Sequence, residues 1–364
     1  MPRPVALTVL RRRIDTIDGR ILHLLNERAS IALEVAHRKA SDGTRVYAPG
    51  RERSVLQRLL DVNGGPLRGR DVRAIFTEII SASRGLEQRL RVAYLGPEAT
   101  FTHLAARRRL GEAARYQSAA TIGEVFAQVE AGRAELGVVP VENSTEGMVA
   151  HTLDLLVDSP LQICAEIMLP IRHCLLAKRG MTIARATRVV AHPQALAQCR
   201  RWIADRLPAT PVEEETSNAR AAQRAAAEHG TLAIGAQEAA AVYGLRVLEQ
   251  DVQDEHANIT RFVVLAHHDA EQPSGTDKTS VVVSVRDEVG VLARLLRPFA
   301  THGIDLIKIE SRPLRARPWE YYFFLDLRGH RREARVRRAL EAIDRRAIRM
   351  KVLGSYPTAF EDEP

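Results

Sequence analysis

Residues 137–149 read Gly137-Val-Val-Pro-Val-Glu-Asn-Ser-Thr-Glu-Gly-Met-Val149. An apolar run on Val138, Val139 and Val141 stops at Glu142, Asn143, Ser144 and Thr145, and Gly147 then opens a new apolar segment. This is the layout of a buried strand whose carboxyl end delivers polar groups into the crevice of an α/β sheet. Alone, the stretch reads as well as a polar turn after a core strand. A second apolar-flanked polar cluster, Asn258-Ile-Thr-Arg-Phe262, closes the same part of the chain and shifts the balance toward a crevice.

Outward from these clusters, the hydrophobic period changes twice. Leu7, Leu10, Ile14, Ile17, Ile21, Leu24, Leu25 and Ile31 recur at helical spacing over residues 5–40, with no interior Pro. A helix of that length needs a partner to cover it. Pro49 and Gly50 open a second helix near 51–61, and a third is expected over about 70–90. From Arg91 short strands alternate with Ala-rich helices as far as Leu265. The polar stretch 269–278 reads as a linker. Beyond it, strand 280–285, helix 290–302, strands 304–313 and 319–328, helix 332–345 and strand 347–356 form a βαββαβ order, which is ferredoxin-like. The chain is therefore read as multidomain: an all-α helical domain over 1–90, a two-lobed α/β domain over 91–268, and a ferredoxin-like α+β domain over 279–364.

Composition narrows the function. The chain of 364 residues is long enough for two or three cores. No apolar run approaches the ~18 residues of a membrane span, and the first residues lack a secretory core. Three cysteines without metal-like spacing fit a reduced cytoplasm. The net charge of +8 is spread along the chain, and 48 of the 53 basic residues are Arg. That distribution, with no zinc-finger, basic-zipper or RRM signature, speaks against nucleic acid and suits small dianionic substrates. No cofactor or metal is expected.

Several motifs in fixed order carry a family resemblance. Glu142-Asn-Ser144 with Gly147, and Thr260-Arg-Phe262, closely resemble the motifs of prephenate dehydratases. Tyr94-Leu-Gly-Pro-Glu-Ala-Thr-Phe-Thr102 and Ala191-His-Pro-Gln-Ala-Leu-Ala-Gln-Cys199 match two more, with Ala99 where the family has Gly and Ala191 where it has Ser. Residues 1–90 resemble a helical chorismate mutase, and the last domain, with Glu310-Ser-Arg-Pro313, an ACT domain. That order is the plan of the bifunctional chorismate mutase–prephenate dehydratases. The resemblance implies chorismate and prephenate as substrates, phenylalanine as feedback effector, and a homodimer or higher homo-oligomer.

The mutase reaction is pericyclic, so the protein orients two carboxylates and stabilises charge on the breaking ether oxygen. By motif, Arg11, Arg28 and Arg51 would hold carboxylates, Lys39 the ether oxygen, Glu52 the ring hydroxyl and Ser83 a hydroxyl contact. Guanidinium forks suit carboxylates and a compact ammonium suits an ether oxygen. Glu87, or Gln88 if the register slips by one, would donate to the ether oxygen; a Glu does so only while protonated. Ala48 stands where some relatives carry Asp. Arg28 and Lys39, 11 positions apart, share a helix face, whereas Arg11 lies about 25 Å from Arg28 along the axis. Arg11 would then serve a site built mainly by another chain, as the family's helix-exchanged dimers imply. A solvated basic face is the plain alternative for each residue alone.

For the dehydratase step, the family assigns the central role to Thr260. An alkyl hydroxyl is a poor acid, so Thr260 is read as a donor that orients the leaving hydroxyl. Arg261 is either a carboxylate clamp or a structural ion pair, and Phe262 packs the crevice floor. Asn143, Ser144, Thr145, Thr100 with Thr102, and Gln194 are candidate donors to substrate carboxylates. His192 is either an acid or a structural residue. In the ACT domain the loose match Val289-Gly-Val-Leu292 (Gly290, Val291, Leu292) and the sharper Glu310, Ser311, Arg312 and Pro313 are the effector candidates, and removal of this domain is expected to leave an active, insensitive enzyme. A mutase–dehydrogenase fusion is excluded by the lack of G-x-G-x-x-G after a strand. A two-lobed ligand sensor without catalysis is the competing class.

Overall fold

The computed structural model describes residues 6–41, 47–255, 257–286, 288–313 and 321–360; the side chains of residues 39–41 lie outside that description. Three helices, α1 (Leu7–Ser41), α2 (Pro49–Asp61) and α3 (Gly69–Glu87), form the amino-terminal region. α1 is about 52 Å long at ~1.5 Å per residue. Its apolar stripe faces solvent: Ile14 is 56%, Ile17 50% and Ile21 48% exposed. α3 stops at Glu87 because the next residues are extended and Leu90 is drawn into the neighbouring core.

The first α/β lobe comprises β1 (Arg91–Leu95), α4 (Phe101–Leu110), β2 (Arg115–Ala119), α5 (Ile122–Glu130), β3 (Leu136–Asn143), β4 (Gly147–Met148), α6 (Ala150–Asp158) and β5 (Gln162–Pro170). The chain then crosses to a second lobe of β6 (Cys174–Lys178), β7 (Arg188–Ala191), α7 (Pro193–Gln198), α8 (Arg200–Arg206), β8 (Val212–Glu214), α9 (Asn218–Ala227), β9 (Thr231–Gly235), α10 (Gln237–Val242) and β10 (Leu245–Glu249). It returns as β11 (Ile259–Ala266), inserted antiparallel between β3 and β5. The sheet orders are β2-β1-β3-β11-β5 and β10-β6-β9-β7-β8. The two crossings are tied together: Ile171 N–H donates to Asn258 O at 2.8 Å and Val252 N–H to His173 O at 2.9 Å.

The last region, β12 (Asp277–Val285), α11 (Val291–Thr301), β13 (Leu306–Pro313), β14 (Tyr321–Arg328), α12 (Ala334–Asp344) and β15 (Arg349–Pro357), is a four-stranded antiparallel sheet ordered β13-β14-β12-β15. One face buries α11 and α12 over Val283, Leu295, Phe299, Leu325 and Leu340. The other face packs on the first lobe, so that Val282, Phe324, Leu353 and Tyr356 share a core with Val139, Leu156, Ile163 and Val263. A Cβ on Gly354 would run into the Ile163 carbonyl, so only glycine permits that approach.

This docking corrects two expectations. The stretch before β12 is not a free linker, because Asp269 is buried and bonds Arg331 and the Ser355 N–H at 2.9 Å each. Nor is the ACT-like domain cleanly separable, since cutting it away would bare the apolar floor of the first lobe. Each large apolar side chain so exposed costs about 1.5–3 kcal/mol.

Candidate functional site

β3 and β11 run side by side with Thr260 opposite Asn143 and Arg261 opposite Glu142. Successive side chains of a strand point to opposite faces, so one pair faces the crevice between the lobes and the other faces away.

Hydrogen bonds fix the polarity of the crevice pair. Asn143 Oδ1 accepts from the backbone N–H groups of Thr145 at 3.0 Å and Glu146 at 3.1 Å. Its amide nitrogen must then point the other way, and it donates to Asn258 Oδ1 at 2.7 Å and Thr260 Oγ1 at 2.8 Å. Both amide protons are thereby used. Thr260 accepts, which leaves its own O–H free to donate into the crevice. Asn258 in turn donates to Gln198 Oε1 at 2.9 Å, and the same oxygen meets His173 Nε2 at 3.0 Å. An oxygen cannot donate, so His173 carries its proton on Nε2. Burial lowers the His173 pKa, only partly opposed by Gln198, which keeps the ring neutral.

The other expected donors are largely occupied. Ser144 Oγ donates to Ala257 O at 3.2 Å and accepts from Ile259 N–H at 2.9 Å, which clamps the returning strand. Thr145 Oγ1 donates to Asn143 Oδ1 at 2.9 Å. Thr100 caps α4, giving its proton to Leu95 O at 2.8 Å and accepting from His103 N–H at 3.3 Å. Ser144 and Thr100 therefore act as structural clamps, a correction to their reading as substrate donors. Thr102 is buried. Of the first-turn N–H groups of α4, that of His103 is taken by Thr100 Oγ1 and that of Leu104 by the Thr100 carbonyl at 3.0 Å, which leaves those of Phe101 and Thr102 as the donors a helix N-terminus can offer an anion. Ala99, just before them, has φ 63°, the left-handed conformation for which its usual Gly is suited.

From the second lobe, Gln194 reaches across to Glu146 at 3.0 Å, and Gln198 does so at 3.3 Å. His192 caps α7, its Nδ1 accepting from Gln194 N–H at 3.3 Å, which gives it the structural role of the two weighed. Burial lowers its pKa against the pull of Glu146 and Glu214.

Arg261 is not a substrate clamp. It is buried on the far face of β11, with Nε 2.9 Å from Glu166, Nη1 2.6 Å from Asp326, and Nη2 donating to the Tyr356 hydroxyl at 2.8 Å. Phe262 lies in the first-lobe core with Tyr94, Ala105 and Val264.

In the helical region, Arg28 Nη1 donates to Ser83 Oγ, joining α1 to α3. Glu87, one turn after Ser83, is half-buried, whereas Gln88 lies past the helix end. Gln88 lines a cavity of about 590 Å³ with Ala48 and Arg51. Glu52 is a correction: its carboxylate is held by Arg84 at 2.5 Å and Arg109 at 3.4 Å, locking α2 against α3 and α4 rather than waiting for a ring hydroxyl. Arg11 is exposed on α1. The Lys39 side chain falls outside the described residues.

The effector candidates collect at one end of the last sheet. Tyr321 on β14 pairs with Val285 on one side and Pro313 on the other. Gly290, at φ 76°, precedes α11, which begins with Val291; Leu292 is 37% exposed. β13 alternates: Lys308, Glu310 and Arg312 are half-buried, while Ile309, Ser311 and Pro313 are exposed.

A two-lobed α/β domain with an Asn–Thr pair on adjacent strands, flanked by a helical region and a βαββαβ domain, defines a three-module protein built around a two-lobed ligand-binding fold. Family models match in the same order: chorismate mutase type II over residues 10–88, prephenate dehydratase over 92–270 and the ACT domain over 279–345. A bifunctional chorismate mutase/prephenate dehydratase of Stutzerimonas stutzeri is 44% identical over 97% of this chain and 98% of its own. One from Aquifex aeolicus is 43% identical over 98% and 99%. A solved prephenate dehydratase from Arthrobacter aurescens, in complex with L-Phe, superposes with a TM-score of 0.68 at 34% identity, over 74% of this chain and 90% of that one. The chain belongs to the bifunctional chorismate mutase/prephenate dehydratases. It is an enzyme with both activities.

The sequence reading missed Asn258, Gln198, His173 and Glu146. Asn258 and Gln198 stood inside quoted motifs, two and four residues from singled-out neighbours. His173, on the crossing segment, carried no local signal.

Proposed function

We propose that the protein converts chorismate to prephenate and then to phenylpyruvate, with Thr260 as the hydroxyl donor that orients the departing ring hydroxyl. The observation that carries this is the polarity of the Asn143 amide: its two N–H groups are committed, so Thr260 accepts one and keeps its own proton for substrate. Loss of hydroxide and of carbon dioxide then proceeds together, and aromatisation supplies the driving force. The α4 amino terminus is the seat for a substrate carboxylate.

In the mutase, Arg28, Ser83, Arg51 and Lys39 are proposed to hold substrate, with Arg11 supplied by a second chain and Glu87 or Gln88 at the ether oxygen. Phenylalanine is proposed to bind at the Gly290 loop and Glu310–Pro313 and to inhibit the dehydratase. A solved relative's complex with L-Phe supports phenylalanine as the ligand. We place the enzyme in the cytoplasm, in keeping with its free, buried Cys164, Cys174 and Cys199.

Purified protein supplied with chorismate is expected to release phenylpyruvate, with phenylalanine suppressing the second step. Accumulation of prephenate alone would reject the dehydratase assignment, and release of phenylpyruvate unaffected by phenylalanine would reject the effector assignment.

A further inference from the structure

The residues beside the crevice pair are held by the ACT domain. Glu142, next to Asn143, is gripped by Lys308 of β13, and Arg261 Nη1 lies 3.6 Å from the same carboxylate. Arg261, next to Thr260, is bound by Asp326 of β14 and Tyr356 of β15. Ser280 of β12 supports both partners, at 2.5 Å from Asp326 and 2.6 Å from the Tyr356 hydroxyl. Lys278 of β12 completes the set 2.8 Å from Glu166. Three carboxylates, Glu142, Glu166 and Asp326, thus face three cations, Arg261, Lys278 and Lys308, and the six lie on six different strands, three from each domain.

Consecutive strand residues share one backbone, so moving Glu142 or Arg261 moves Asn143 or Thr260 with it. We propose that Glu142 and Arg261 are positioning residues of the dehydratase, through which the ACT sheet holds the Asn143–Thr260 pair in register with the crevice. The role deepens the effector reading given above and rests on it only for its regulatory consequence. β13 carries both ends of the connection: Lys308 and Arg312 reach the dehydratase, Arg312 at 3.0 Å from Asp154, while Ser311 and Pro313 alternate with them on the exposed face. A ligand that shifts the Glu310–Pro313 end of β13 therefore displaces Lys308 and, through Glu142, the strand that carries Asn143. The seating of β13 on the first lobe is the element whose shift would couple the two sites.

The test is made on the full chain without phenylalanine. Lys308→Met removes the charge and keeps the stem; Tyr356→Phe removes only the hydroxyl that accepts from Arg261. Each is expected to lower dehydratase kcat about 10-fold, as small misplacements of reacting groups do, with KM for prephenate within about 2-fold. Lys308→Arg should restore the rate, and the mutase rate of each variant should stay at the wild-type level, reporting an intact fold. Lys308→Met combined with Glu142→Gln should be no slower than Glu142→Gln alone, because the two act as one unit. Unchanged kcat in both Lys308→Met and Tyr356→Phe, or fully multiplicative losses in the double variant, overturns the proposal. A wild-type enzyme indifferent to phenylalanine removes the effector reading instead and leaves the positioning role to stand on the kcat changes.

Discussion

At the residue scale one proton decides what the crevice can do. Asn143 is oriented by two backbone N–H groups, so its amide faces Thr260 and the threonine proton is free. Thr260→Ala removes that donor, and loss of a single preorganised donor costs about 10²–10³ in kcat. Dehydratase turnover should fall by that factor while prephenate accumulates from chorismate at the wild-type rate. Thr260→Ser, which keeps the hydroxyl, should retain most of it. Equal loss of both activities in a folded Thr260→Ala chain would undo the separation of the sites. The motif made Thr260 legible as important, but not as an acceptor from Asn143, because the sequence does not record which way an amide points. Arg261 shows the same limit. Its neighbour in sequence bonds Asn143, yet the pleat turns Arg261 into an ion pair that the sequence reading left as one of two alternatives.

At the element scale, α1 is the feature that the single chain does not satisfy. Its apolar positions keep helical spacing, yet Ile14, Ile17 and Ile21 are about half exposed, which is wasteful burial for a monomer. In the dimer proposed above, a second copy laid along this stripe would account for it and would bring Arg11 to a site built around the other chain's Arg28. Arg11→Ala and Lys39→Ala chains, each inactive as mutases, should regain activity when mixed and allowed to exchange. In a random two-fold assembly about one quarter of the sites regain both residues, so recovery should approach about one quarter of wild type. No recovery after demonstrated exchange would confine Arg11 to its own chain. The helix itself was legible from spacing; what covers it was implied only by the family resemblance.

At the scale of the whole molecule, the ACT domain is a wall of the dehydratase rather than an appendage, joined by apolar packing and by buried charge. Burial alone would raise the Glu166 and Asp326 carboxyls, but Arg261 and Lys278 hold both below the usual carboxylate range. A carboxyl whose pKa is lower folded than unfolded contributes stability above the unfolded value of about 4, and loses it as pH falls through the folded value. Docking should therefore be insensitive to pH from about 8 to 5 and weaken below about 4. Hydrogen exchange in β12 and β15 should then rise ahead of that in β7 and β9 of the second lobe. A uniform rise across all sheets would locate the acid sensitivity elsewhere.

The sequence by itself determined the elements and their order. Hydrophobic periods of 3.6 and 2 are local properties, so the three helices, the alternating α/β region and the βαββαβ domain could be read from spacing, and motif order carried the two chemistries. Only the tertiary structure decided which polar groups are free. Glu52, Ser144 and Thr100 fit their motifs, yet their carboxylate or hydroxyls are engaged by Arg84, Ala257 and Leu95, groups up to more than a hundred residues away. It also decided that the polar stretch 269–278 is pinned and that the ACT sheet closes the first lobe. A hydrogen bond or an interdomain ion pair depends on distance and direction in space, and neither is encoded in the spacing of residues along the chain.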